Sequence, residues 1–143
     1  MTLHLKKLSV GAQSVEDLEA WRDHVVARNK AATGEEVMDH VTRMWPRRGG
    51  ELLDGGSLYW VIKKAIRCRQ RILDLREAVG EDGVKRCAII LDPEILPTEA
   101  RRCRPFQGWR YLEPEAAPAD AAGAAATGLP LKLRDELAEL GLL

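Results

Sequence analysis

The chain has 143 residues, 45% of them hydrophobic and 31% charged, with 22 basic and 22 acidic side chains that cancel. That length and balance fit one globular domain able to bury a core without disulfide staples, and they exclude a general polycation. No apolar run approaches the ~20 residues of a membrane span. No secretory signal precedes the first strand, so the expected setting is the cytoplasm, with Cys68, Cys87 and Cys103 as reduced thiols.

Leu3 to Gly11 reads as a strand with Leu3, Leu5 and Leu8 apolar and Gly11 as its stop. Ser14 and Asp17 then form a cap and carboxylate three residues apart. Val15, Leu18, Trp21, Val25 and Val26 recur at helical spacing, which predicts a helix with that stripe on the core. Glu16, Asp17 and Glu19 fall in its first turn, where the helix dipole favours them, and it should fray near Thr33 and Gly34. His40 to Trp45 reads as a short strand stopped by Pro46. Gly49-Gly50 and Asp54-Gly55-Gly56 bracket a single helical turn.

Ser57 to Lys64 is β-branched and aromatic, with Leu58, Trp60 and Ile62 on one face and Tyr59, Val61 and Lys63 on the other. Ala65 to Leu75 alternates strictly. Ile66, Cys68 and Ile72 point one way, and Arg67, Arg69 and Arg71 the other. Leu73 and Leu75 then fall on the arginine side, which predicts a bulge or twist near Arg71. Glu81 to Gly83 is a turn, and Val84 to Asp92 is another strand closed by Pro93. The prolines at 93, 97 and 105 predict an extended, looping segment with one edge strand up to Glu113. Residues 114–128 are Ala-, Pro- and Gly-rich and read as a linker. Residues 129–143, with Leu133, Leu137, Leu140 and Gly141, read as a short helix. The expected architecture is α+β: a core over residues 1–113 built on a small curved, mostly antiparallel sheet or pseudo-barrel, with one N-terminal and one short C-terminal helix.

Charge is zoned. His40 to Arg76 holds nine basic and three acidic residues, while Ser14 to Asp39 holds three against seven and Tyr111 to Leu143 two against six. A basic middle between acidic ends permits a local anion site and suppresses indiscriminate binding. The arginine ladder places three guanidinium groups about 6.5–7 Å apart on one sheet face, close to the phosphate spacing of a single strand. Arginine suits phosphate because its planar fork binds two oxygens at once. Arg43, Arg47 and Arg48, and a second basic run at Arg101, Arg102 and Arg104, add to the basic character. The competing reading is a solvated face whose arginines pair with Asp74, Glu77 or Asp92. In Arg104 to Leu112, Phe106, Gln107, Trp109, Arg110 and Tyr111 crowd around Gly108, offering stacking rings and an amide for a base edge. The competing reading there is a terminal strand sealing the core.

Enzyme signatures are missing. His4, His24 and His40 are isolated, with no second ligand at zinc spacing, and no P-loop, GxGxxG or GxSxG occurs, so neither metal nor cofactor is expected. Asp54, Asp74 and Asp92 lie at strand ends, where a carboxylate pair could assemble.

The strings LLDGGSLYWVIKKAIRCRQRILDL and CRPFQGWRYLE, in that order, resemble an uncharacterised bacterial family of unknown function over about residues 2–113. The chain is also similar to PUA-like domains, including their ASCH and EVE branches. SVEDLEAW occupies the slot of their first helix, and LLDGGSLYWVIKKAIRCRQRIL that of their turn and long strand. The turn is Asp-Gly-Gly rather than Gly-Asp, and the ASCH Gly-x-Lys-x-x-Glu-x-Arg motif is absent. This second resemblance implies RNA or modified-base binding in a pocket beside a curved sheet.

Three functions follow. The first is a nucleic-acid-binding module for RNA, a nucleotide or a modified base, with Arg67, Arg69 and Arg71 on phosphates, Arg43, Arg48 and Arg110 as further contacts, and Tyr59, Trp60, Gln107 and Trp109 as candidates for a base pocket. Tyr59 and Trp60 face opposite ways, so one surface can use only one of them. The second is a protein-interaction module or homo-oligomer that docks through the C-terminal leucine helix. The third is a nucleotide-directed hydrolase with an Asp or Glu pair.

Overall fold

A computed structural model describes residues 2–9 and 11–121. The helix expected over 129–143 lies outside the described residues, as do residues 122–128 of the segment read as a linker.

Strand β1 is His4–Leu8 and helix α1 is Val15–Thr33. Ser14 caps the helix, its Oγ accepting from the Asp17 amide at 3.1 Å, while the Asp17 carboxylate accepts from the Gln13 amide at 3.0 Å. Gly34 closes it in the left-handed conformation (φ 82°). Val15, Leu18 and Val25 are buried as the stripe predicts, but Trp21 is 54% exposed. Small Gly11 and Ala12 stand opposite that turn of the helix, and the indole flanks a recess of about 520 Å³ instead of entering the core.

Strand β2 is Met38–Thr42 and ends three residues before Trp45, which is turned out to solvent. The expected helical turn is α2, Gly49–Leu52. Strands β3 (Ser57–Ile62) and β4 (Ala65–Val79) form a hairpin on Lys63 and Lys64, both at positive φ (50° and 64°), a two-residue reversal that matches the twist of its strands. Strands β5 (Lys85–Leu91), β6 (Leu96–Arg102) and β7 (Trp109–Leu112) follow, so the proline-rich stretch carries two strands where one was expected. A short 3-10 turn spans Pro114–Ala116.

The seven strands form one curved, unclosed sheet in the order β2-β5-β4-β3-β1-β7, with β6 also paired to β4. Every pairing is antiparallel except β1 with β3. Long β4 pairs with β3 and β6 through its first half and with β5 through its second. Its register slips at two points, opposite Trp60/Val61 and between Ile72 and Asp74, and such bulges bend a strand. The second slip is the bulge expected near Arg71. The two ends of the sheet are tied by side chains: Trp109 Nε1 donates to the Met44 carbonyl (3.1 Å), and the Tyr111 hydroxyl accepts from the Arg48 amide (3.2 Å).

Each face of the sheet buries its own apolar cluster. Leu5, Leu58, Trp60, Ile62, Cys68, Ile72, Ile89 and Leu91 pack with α1 on one face. Tyr59, Val61, Ile66 and Leu112 pack with Phe106 and Ala117 on the other. Ile66 was expected beside Cys68. The bulge at Arg67 advances the register by one residue and sends the two to opposite faces.

Gly56 sits where β1, α2 and β3 converge, and a Cβ there would collide with the carbonyl oxygens of Leu3 and Leu52. Both obstacles are backbone, so neither yields easily. Gly56→Ala should therefore lower unfolding free energy by about 2 kcal/mol, read as a lower denaturant midpoint.

A candidate nucleic-acid interface

The expected arginine ladder does not present three free groups to water. Arg67 is 3% exposed, with Nε donating to the Ile62 carbonyl (2.6 Å) and Nη2 to that of Lys63 (3.2 Å). Its guanidinium secures the β3–β4 turn, because the bulge aims the side chain back over that turn. Arg69 is bound through Nε and Nη2 to the Asp120 carboxylate, at 2.7 Å each, while Nη1 donates to Ser57 Oγ at 2.8 Å. Only Arg71 of the three is exposed. It lines a cleft of about 350 Å³ with Gly55, Arg69, Leu96 and the acids Asp92 and Glu94, which offset its charge.

The segment after Leu112, read as a linker from residue 114, packs on the core as far as it is described. Arg101 donates to the Ala116 carbonyl, Glu99 to that of Ala119, and Asp120 bridges Thr98. Hydrogen bonds from Arg69 hold the Asp120 carboxyl below its usual range, with the guanidinium charge adding to the effect. A carboxyl depressed below its unfolded value of 3.8 contributes stability above pH 3.8 and loses it as the pH falls through the lowered folded value. Asp120 is about half exposed, so solvent screening keeps the contribution below about 1 kcal/mol. Asp120→Asn should destabilise slightly at pH 7, and the difference from the parent should shrink as the pH falls below 3.8, as read by urea unfolding over that range.

The other expected contacts scatter. Tyr59 is buried, edge-on to His4 at 5.1 Å. Trp60 is buried, its Nε1 donating to Gln70 Oε1 at 2.8 Å. Neither ring reaches a ligand surface, because Tyr59 and Trp60 each belong to one of the two apolar clusters. Arg48 is tied to Glu51 and Glu113 and lies 5.6 Å over the Tyr111 ring. Arg43, Gln107 and Arg110 are exposed, and Trp109 is partly buried against Met44. Asp74 is paired with Arg76 at 3.0 Å, and Asp92 turns into the Arg71 cleft. Among the described residues, no group of three or more His, Cys, Asp or Glu is placed to hold a metal ion, and no helix is long and apolar enough to cross a membrane.

Cations do converge at another place. Ala65 pairs with Arg102, and the Cys103 amide donates to the Lys64 carbonyl at 2.9 Å, which sets the end of β6 against the β3–β4 turn. Lys64, Arg102, Cys103, Arg104 and Pro105 line a groove of about 530 Å³, with no carboxylate among the described residues of its lining. Lys6 lies alongside, its Nζ 3.8 Å from Cys103 Sγ and 5.4 Å over the Phe106 ring. Arg110 is opposite Lys6 in the β1–β7 pairing. Among the described residues, Lys64, Arg102, Arg104 and Arg110 form no ion pair. The basic run at 101–104 was visible in the sequence. Its junction with Lys64 depends on a strand pairing that no local pattern reveals.

The class these features define is an α+β protein with a curved, mostly antiparallel sheet and a groove lined by cations at the meeting of a hairpin turn and a loop. Within it, the chain belongs to the family described as protein of unknown function DUF1489, whose sequence model matches residues 5–143. That match continues past residue 113, where the resemblance was expected to stop, and takes in the Ala-rich segment and the C-terminal leucines. No curated protein and no solved structure matches the chain.

Proposed function

We propose that the protein is a nucleic-acid-binding module, with RNA as the preferred ligand, and that its phosphates dock in the groove of Lys64, Arg102 and Arg104. The observation that carries this is the lining itself: three cations with neither a carboxylate in the groove nor an ion pair among the described residues. Unneutralised cations next to one another repel, and a polyanion relieves that repulsion while releasing its own counterions. Lys6 and Arg110 extend the positive surface beside the groove, and exposed Gln107 offers an amide on the same loop. The site is thus moved from the ladder of Arg67, Arg69 and Arg71 to the next cationic junction along the sheet. The PUA-like resemblance supports a ligand beside a curved sheet.

Electrophoretic mobility shift of a 12-nucleotide single-stranded RNA tests the reading. A shift at low salt that fades steeply as salt rises is expected. No shift at either low or moderate salt overturns it.

A further inference from the structure

The segment Arg43-Met44-Trp45-Pro46-Arg47-Arg48 follows β2 and contains no acidic residue. Met44 is 67% exposed and Trp45 46%, although large apolar side chains normally turn inward. The exposure is not that of a loose loop. The Met44 carbonyl accepts from Thr42 Oγ1 (2.8 Å) and from Trp109 Nε1 (3.1 Å), Pro46 is buried, and the Arg48 amide donates to the Tyr111 hydroxyl (3.2 Å). An anchored loop therefore holds an indole out to water between two exposed arginines, Arg43 and Arg47, which form no ion pair among the described residues. It meets Trp109, the strand neighbour of Arg110, through the Met44 carbonyl.

We infer that Trp45 is a stacking platform for an unpaired nucleobase and that the ligand is a single strand whose flanking phosphates meet Arg43 and Arg47. A flat apolar ring between cations matches one base between two phosphates. A base inside a duplex is already stacked on both faces and cannot use the ring. The inference rests on the groove reading and adds to it a preference for unpaired RNA.

Fluorescence anisotropy of labelled 12-nucleotide single-stranded RNA, of the same RNA annealed to its complement, and of a polyglutamate peptide tests it on the full chain. The proteins are the parent, Trp45→Ala and Trp45→Phe. Trp45→Ala should lower single-strand affinity about tenfold. It should leave duplex affinity and the salt slope unchanged, and Trp45→Phe should recover most of the loss. If the parent binds single strands and Trp45→Ala binds them equally well, this inference falls and the groove reading stands. If the parent binds neither RNA form, both fall. If polyglutamate binds with Trp45 dependence and RNA does not, the loop is a protein contact and the inference is overturned.

Discussion

Replacing Arg102 and Arg104 together by alanine should weaken single-stranded RNA binding about a hundredfold at low salt and flatten its salt dependence. A charge-assisted hydrogen bond contributes roughly 1.5–3 kcal/mol, which is at least about tenfold in affinity per arginine. Each phosphate neutralised on a single strand adds about 0.7 to the slope of log affinity against log salt, so losing two contacts should reduce that slope by about 1.4. The slope is the sharper reading, because misfolding lowers the amount of active protein without changing it. Arg71→Ala is the paired control: it is exposed but shares its cleft with Asp92 and Glu94, so both affinity and slope should hold. If Arg71→Ala abolishes binding and the double variant does not, the phosphates sit on the Arg71 cleft and the groove reading fails. Arg67 is no use as a binding probe, since its guanidinium holds the β3–β4 turn and its loss would disturb Lys64 as well.

Acidification from pH 7 to pH 4 should remove about 3 kcal/mol of stability through His40 alone. The ring stands edge-on to Trp60 at 5.5 Å, and its buried Nε2 has no hydrogen-bond partner among the described residues. Burial chiefly, and then the Lys7 ammonium, lower its pKa from 6.5 to about 4, while Asp39 pulls the other way. Asp39 is itself paired with Arg28 at 2.9 Å and accepts from Asn29, which limits that pull. The unfolded chain takes up a proton below pH 6.5 that the folded chain refuses until about pH 4. Stability is therefore intact above pH 6.5, declines through that window and is level below it as far as this group is concerned. Urea unfolding of His40→Gln at several pH values between 7 and 4 should show a slope shallower by up to one proton. An unchanged slope would mean that another group carries the acid sensitivity.

The helix was legible from local signals. Ser14, Asp17 and Gly34 bracket it as caps should, and three of its five stripe residues are buried. The faces of β3 were equally legible, because alternation from Leu58 to Ile62 is a short-range property. The β3–β4 turn was not, because Lys63 and Lys64 occupy positive φ where glycine or asparagine would have announced a reversal. Ser57 to Lys64 and Ala65 to Leu75 therefore read as two successive strands with no turn placed between them. The bulge at Arg67 follows from pairing with β3 and β6, and one extra residue there moves a guanidinium from solvent to a pair of carbonyls. Charge partners were also misjudged. Arg69 pairs with Asp120, 51 residues away in a segment that looked like linker, and not with the nearer acids considered from sequence. The groove has the same origin: its cations come from two stretches that only the sheet joins.

The pairing of β1 has a consequence for the protein during its synthesis. Its parallel partner Leu58 leaves the ribosome well after Leu5 and its antiparallel partner Tyr111 later still, so one edge of this first strand must wait unpaired until nearly the whole sheet has been translated. Lys6 and Arg110 come together in that same last step. A nascent chain truncated before β7 would expose the free edge of β1 and lack part of its positive surface, so a stalled product should be a substrate for chaperones and proteases before it can compete for ligand.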